Sequence, residues 1–382
     1  MSRADAEALD REDPLAHWRD EFVVGDPALI YLDGNSLGMT PKRTAEAMRA
    51  AVEQQWAGDL ITSWWKHDWL DMPLAVGDLL SPLLGTSRGE VAVHDSTTVG
   101  IFQLVNVALD LEPGRRVIAV DDGEFPTDRY VVDGVARLRS GEVRRGLDDL
   151  DGVDVVVRSL VDYRSGEVAD LAAETARAAE VGATTVWDLS HAAGVLELDL
   201  PAAGVELAVG CTYKFLNGGP GAPAFTHVTT ALHDRIVQPI WGWCGQTDQF
   251  AMDRPFDPRP GIGRLLHGTP GVLGLTGARE GIALTADAGI AAVADKARRL
   301  TGLGLDLVDQ VGLETVTPRD AMQRGGHVAI RHADAARLHG EVADRKVIID
   351  RRDPDILRLG MSPLTTRYTD VYDAIIAISA LA

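Results

Sequence analysis

Long apolar runs are missing from the 382 residues. No stretch reaches the roughly 18 consecutive apolar residues that would suggest a transmembrane helix. The opening MSRADAEALDRED lacks an apolar segment and is too acidic for a secretory or organellar leader, so a cytosolic location is expected. Cysteine is scarce. Cys211 and Cys244 cannot complete a zinc site or a disulfide framework on their own, and they read as small buried residues of a reducing compartment. Positive charge is in deficit, with 37 Lys and Arg against 57 Asp and Glu and a formal net charge of −20. Approach to nucleic acid or to an anionic membrane would begin with repulsion, so neither is an expected partner. Repeats of fixed period and low-complexity segments are also absent.

What remains is an ordinary globular composition, 46% hydrophobic and 25% charged, long enough for a large core and two domains. Residues 1–45 read as an irregular arm with one short helix, and 46–110 as largely helical. Short apolar runs follow at 116–120, 153–157, 184–187, 206–210 and 223–228. The first four are Val-rich and bounded by turn or polar residues, as buried parallel strands are. With a helix over 170–180, they predict an α/β domain carrying helices on both faces of a mostly parallel sheet. Residues 241–271, rich in Gly, Pro and Trp, read as a long functional loop. An Ala-rich helical stretch is expected over 276–310. Strands near 314–317, 327–331, 346–350 and 356–359, a helix over 333–343 and a last helix from Asp370 complete a smaller α+β unit. The expected division is an arm over 1–45 contributing to the small domain, a large domain over 46–275 and a small C-terminal domain over 276–382.

Five motifs carry chemistry. In GCTYKFLNGGPGAPAF (210–225) an apolar strand runs into Tyr213-Lys214 and a glycine-rich turn. A lysine beside glycines can approach a bound aldehyde and form a Schiff base, as pyridoxal-phosphate (PLP) enzymes require; taken singly, such a lysine is more often a surface residue at a hairpin. WDLSHAAG (187–194) ends a strand at Asp188, where ligands of open α/β sheets sit. A carboxylate there can hold the PLP pyridinium, or simply cap the next helix, and His191 alone reads as a hydrogen-bonded structural residue. VHDSTTVGIF, from Val93, places hydroxyls at a helix start, which suits a phosphate or plain capping. EFPTDRY (124–130) offers Phe125 for ring stacking and Asp128 for a polar network, or is a loop with a proline turn. The fifth is GWCGQTDQFAMDRPFDPRPGIGRLLHGTPG (242–271).

In order along the chain, these motifs resemble the kynureninase family, a PLP-dependent member of the aspartate-aminotransferase fold class, in its bacterial form. The resemblance begins at YLDGNSLGMTP (31–41) and continues through GDLITSWW (58–65). It then runs through the motifs above and closes with LRLGMSPL (357–364). It implies the α/β fold type I of PLP-dependent transferases, a large mostly parallel-sheet domain with a smaller α+β C-terminal domain. It implies Lys214 as the Schiff-base lysine, Asp188 as partner of the ring nitrogen and Phe125 stacked on the ring. Thr97, Thr98, Asp128, Ser159, His191 and Tyr213 would surround the cofactor. Trp243 and Thr269 would reach the cofactor phosphate of a neighbouring subunit, which implies a homodimer with shared sites. Arg358 would clamp the substrate carboxylate, a task suited to a planar, permanently charged fork, and Asn35 would also touch substrate.

The implied reaction is hydrolysis of kynurenine or 3-hydroxykynurenine at Cβ–Cγ to anthranilate or its 3-hydroxy form and L-alanine. Lys214 would move the Cα proton, and Tyr213 the protons at the ketone and at Cβ. The chain departs from the family pattern at Cys244 and Gln246, where an aromatic and a histidine are usual. It also departs at Pro270-Gly271, and at Thr365, where a tyrosine is common. Losing large aromatics opens space, so a ring-substituted kynurenine in specialised metabolism stands as an alternative to an ordinary kynureninase. Two further alternatives are a cysteine desulfurase or selenocysteine lyase using Cys244, and a non-catalytic PLP-fold protein, against which the presence of both Lys214 and Asp188 argues.

Overall fold

The computed structural model describes residues 1–252 and 255–382; Asp253 and Arg254 of the 242–271 motif lie outside the described residues. Seven strands form the main sheet. They are β1 (Val91–Val93), β2 (Val117–Val120), β3 (Glu142–Arg145), β4 (Val155–Ser159), β5 (Thr184–Asp188), β6 (Leu207–Gly210) and β7 (Phe225–Val228), in the spatial order β1-β7-β6-β5-β4-β2-β3. Pairing is parallel from β3 across to β6. Only β7 is reversed, antiparallel to both β6 and β1. Parallel strands need a crossover, usually a helix. The link from β6 to β7 has none and turns back through Asn217, Gly219 and Gly221, all at positive φ. That reversal is the turn that carries Lys214.

Helices cover both faces, so the strands alternate between two apolar cores rather than between core and water. Val155, Val157, Val186, Leu207 and Val209 face one core with Ile101, Leu104 and Val132. Trp187 and Ala208 face another with Val76, Leu80 and Phe225. Helix Thr97–Asp110 lies close on the first face: a Cβ at Gly100 would meet Val209 Cγ2 at 2.7 Å. This close packing delivers the helix start to the carboxyl ends of the strands.

Three elements differ from the sequence expectation. Strand β3, sequence EVRR, is an exposed or half-buried edge; charge on an edge blocks further pairing and hides the strand from a search for apolar runs. The FPTD segment opens helix Pro126–Arg139 instead of forming a loop, since proline suits the first helical turn. The 276–310 stretch is two helices, Val272–Ala288 and Ile290–Gln310, broken at Gly289, whose φ is 82°.

A second, four-stranded antiparallel sheet runs Asp350–Arg352, Ile356–Gly360, His327–Arg331, Glu314–Thr315. Ile30–Tyr31 pairs in parallel with Val347–Ile348, and Ala6 and Leu32 share a core with Leu300, Val328, Leu359 and Ile375. Lys296 Nζ meets Asp13 Oδ2 at 2.6 Å, with both side chains almost fully buried. Removing one partner of a buried pair strands the other, so Asp13→Ala should cost about 3 kcal/mol in thermal or urea unfolding. Adding Lys296→Met should recover part of that loss, and additive losses would argue against a paired role. Among the described residues no helix is long and apolar enough to cross a membrane.

Candidate active site

Ser159 and Asp188 are the last residues of β4 and β5 and are register partners. Both therefore project from the sheet edge where the open α/β fold places its ligands. The turn after β6 brings Tyr213 and Lys214 to the same edge. Helix Thr97–Asp110 points its start there, with Ser96 capping it through Val99 N–H at 3.4 Å. These elements enclose a cavity of about 330 Å³. Ten of the thirteen residues expected at the site line it: Asn35, Thr97, Thr98, Phe125 and Asp128 from the earlier half of the chain, and Ser159, Asp188, His191, Tyr213 and Lys214 from the centre.

The cavity is electrostatically unusual. Lys214 Nζ lies 2.8 Å from His191 Nε2. Burial first, and then the charges of Lys214 and Arg358, holds His191 well below the ordinary imidazole range. His191 is therefore neutral and accepts from the lysine. Asp188 accepts the Ser190 N–H at 2.7 Å; burial raises its carboxyl, with Ser190 and Lys214 opposing. Asp128 is 1% exposed, and neither of its oxygens has a hydrogen-bond partner. Burial, with Asp188 and Glu124 nearby, pushes it well above the carboxylate range. Burial also raises the Tyr213 phenol, which stays protonated. Asn35 is fully buried, with both amide atoms unpartnered.

Buried polar groups normally find partners, so orphans converging on one cavity describe the ligand they are shaped for. The carboxylates call for a cationic N–H, the lysine for an aldehyde, and the helix start with its hydroxyls for a phosphate. Phe125, set edge-on against Tyr163 with centroids 5.2 Å apart, offers a flat apolar wall. PLP carries all of these groups, and the residues present fit it.

Three expected residues lie off this wall. Arg358 is fully buried. It donates to Tyr163 O at 2.5 Å and Ser36 Oγ at 3.3 Å, and it pairs with Asp350. Trp243 sits in the short turn Trp243–Gly245, and Thr269 lines a neighbouring cavity of about 530 Å³ with His94, Cys244 and His267. Conversely, sequence reasoning missed Ser36, Tyr163 and Arg352 on the main wall. Ser36 follows Asn35 in a motif already singled out, whereas no local signal marks Arg352.

The departures from the family pattern also lie off the main wall. Gln246 accepts the Asp257 N–H at 2.6 Å and braces its own loop, and Thr365 is buried in a turn with Ser362. Cys244 is buried, and burial pushes its thiol up to about 11. It is therefore no ready thiolate.

Comparison with known proteins agrees with this geometry. Residues 293–378 match the family profile described as the kynureninase C-terminal domain. The kynureninase of Deinococcus radiodurans is 42% identical, with 100% of this chain and 96% of that protein covered. That of Pseudomonas fluorescens is 39% identical, with 98% and 94% covered. Among solved structures, the apo cysteine desulfurase of Thermococcus onnurineus NA1 superposes with a TM-score of 0.79 at 16% identity, over 98% of this chain and 97% of that one. A C-DES mutant with glycine covalently linked to its PLP cofactor gives a TM-score of 0.83 at 16% identity, over 94% and 98%. Those structural likenesses establish the fold, which is the expected fold type I. A lysine on the reversing turn, a carboxylate at the end of β5 and near-complete alignment at this identity lead to one assignment: the chain belongs to the kynureninase family.

Proposed function

We propose that the chain is a PLP-dependent hydrolase that cleaves the Cβ–Cγ bond of L-kynurenine to anthranilate and L-alanine, with 3-hydroxykynurenine as the alternative substrate. The observation that carries this reading is the convergence of Lys214, Asp188 and the Thr97-Thr98 helix start on one cavity in a chain of this family. When bound, PLP supplies an electron sink for the charge that develops on substrate carbon.

The chain's own residues do the rest. Lys214 would hold the cofactor covalently, and its amine would move the Cα proton, with neutral His191 orienting that amine through the 2.8 Å contact. Asp188 would keep the ring nitrogen protonated, Asp128 and Ser159 would complete the polar surround, and Phe125 would pack against the ring. Thr97 and Thr98 hold the phosphate. Tyr213, protonated at neutral pH, serves the proton transfers at the ketone oxygen and at Cβ. Water contributes hydroxyl to the ketone carbon, which leaves as the anthranilate carboxyl, and a proton to Cβ, which becomes the alanine methyl. Arg358 and Asn35 belong to the end that receives the amino-acid head.

A homodimer completes the site in this reading. Trp243 and Thr269 are off their own cavity wall, as residues that serve a partner's site would be. An apolar groove lined by Trp56, Leu60, Ile61 and Leu273 adjoins Thr269, and those four side chains are 40% or more exposed, which suits a surface that a second copy covers. The division at residues 45 and 275 is part of the same proposal, supported by the arm residues Ala6 and Leu32 in the C-terminal core. So is a cytosolic location, with which two buried free cysteines are compatible.

The test is direct. PLP-loaded protein given L-kynurenine should release fluorescent anthranilate and alanine in equal amounts. Sulfide from cysteine with no aryl product would overturn the reading in favour of a desulfurase.

A further inference from the structure

The helix start that faces the cofactor cavity follows a residue in an unusual conformation. Asp95 has φ 47°, a left-handed backbone that aspartate tolerates better than most side chains. Its Oδ1 accepts the Ser96 N–H at 2.8 Å and the Ser96 hydroxyl at 3.2 Å. Its carbonyl accepts the Ala224 N–H at 2.9 Å. The Ser96 hydroxyl, having given its hydrogen to Asp95, accepts the Val99 N–H at 3.4 Å. Ser96 is thereby committed to capping, and the hydroxyls of Thr97 and Thr98 are left for a ligand on the wall they share.

That wall has a flaw as an anion site, because Asp95 lies on it too. A carboxylate beside a phosphate dianion repels it. His267 answers the carboxylate from the neighbouring cavity. Its Nδ1 accepts the Gly268 N–H at 2.8 Å, so the ring hydrogen sits on Nε2. Nε2 is buried without a hydrogen-bond partner and faces Asp95 Oδ2 at 3.5 Å. That is about half an ångström beyond an ordinary N–H···O bond. The ring is held in place from several sides. His94 packs edge-on against it with centroids 5.9 Å apart, and the His267 carbonyl accepts the Cys244 N–H at 3.1 Å. Gln103 is fully buried on the helix that Ser96 caps, and it donates to Leu265 O at 2.8 Å. The loop and the helix start are therefore tied to each other at two points.

We propose that His267 is a positioning residue for the cofactor phosphate: its Nε2–H engages Asp95 Oδ2, draws that charge away from the anion and steadies the backbone that aims the helix start. Thr269, which in the proposed dimer serves the partner's cofactor, is two residues on, so one loop would serve two sites. The inference rests on the reading of the Thr97-Thr98 helix start as the phosphate site and names the residue that makes its acidic neighbour tolerable.

The test strips full-length enzyme of cofactor and titrates it back with PLP or with pyridoxal, which lacks the phosphate, following absorbance. His267→Ala should weaken PLP binding by about 10-fold, the loss typical of a hydrogen bond to a charged group. It should weaken pyridoxal binding by less than about 2-fold, because no dianion then meets Asp95. His267→Gln keeps an N–H donor and should recover most of the loss. Asp95→Asn removes the charge and keeps an oxygen for Ser96, so adding His267→Ala to it should cost PLP binding less than about 2-fold. A packing role would weaken PLP and pyridoxal alike, or add in full to Asp95→Asn, and either result overturns the proposal. So does an unchanged PLP affinity in His267→Ala. Wild-type protein that binds PLP no better than pyridoxal sinks the phosphate reading and the inference together, whereas a wild-type preference that His267→Ala leaves intact sinks the inference alone. Neither readout depends on cleavage of kynurenine.

Discussion

Lys214→Ala should lower kcat for kynurenine by about 10⁴-fold or more, because in the proposed mechanism one amine both holds the cofactor and moves the Cα proton, and positioned acid–base transfer alone is worth up to that factor. The structure gives the loss a specific signature. Lys214 Nζ contacts His191 Nε2 at 2.8 Å, and burial with the nearby positive charges holds that ring well below the ordinary imidazole range, so the neighbouring base is too weak to substitute. Alanine also leaves a space where a small amine can enter. Added methylamine should therefore restore part of the turnover without restoring covalent attachment, which reduction with borohydride followed by mass measurement reports. Wild-type protein should carry the reduced cofactor mass on the 210–225 peptide, and the variant should carry none. Turnover above about one-hundredth of wild type in the variant would remove Lys214 from the mechanism.

Asp188→Asn is the second large effect, and it separates catalysis from stability. Its carboxylate is buried at the end of β5, where desolvation raises it and only Ser190 and Lys214 oppose. Charged Asp188 is costly in the empty cavity and useful beside a protonated ring nitrogen. A carboxyl raised in the folded state contributes stability that is present below its unfolded pKa and lost as pH rises through the folded value. The cofactor-free wild type should accordingly lose stability from this group as pH rises from the acid range, and Asp188→Asn should abolish that slope. Asparagine keeps an oxygen for the Ser190 N–H, so the fold survives. In the loaded enzyme the same change removes one half of a buried ion pair, which typically costs about 3–5 kcal/mol and corresponds to a fall in kcat of roughly 10²–10⁴-fold. Unchanged kcat with an unchanged pH profile would show that Asp188 does not face the ring nitrogen. Asp128 shares the desolvation and must be held constant in this comparison, since Asp188 is one of the charges that raises it.

The chemistry was legible where it is written locally. Lys214, Asp188 and Ser159 sit at strand ends or on the turn that follows, so a short apolar run and the residue after it suffice to place them near a ligand. Thr97 and Thr98 open a helix directly after a strand, which has the same effect. The edge strand Glu142–Arg145 was illegible because its partner covers one side and water the other, leaving no apolar pattern. The start of helix Pro126–Arg139 is hard to tell from a loop with a proline turn, because a proline that begins a helix looks, in isolation, like one that ends something.

The order of motifs along the chain was enough to determine the family and the fold class and to single out Lys214 as the candidate, because each motif is a contiguous stretch whose backbone shape follows from its own residues. Tertiary structure alone decided that Asp350 pairs with Arg358, since the two become neighbours only through strand register. It also decided the direction in which His191, Asp128 and Asp188 are shifted, because those shifts are made chiefly by desolvation, and burial is a property of packed elements distant in sequence.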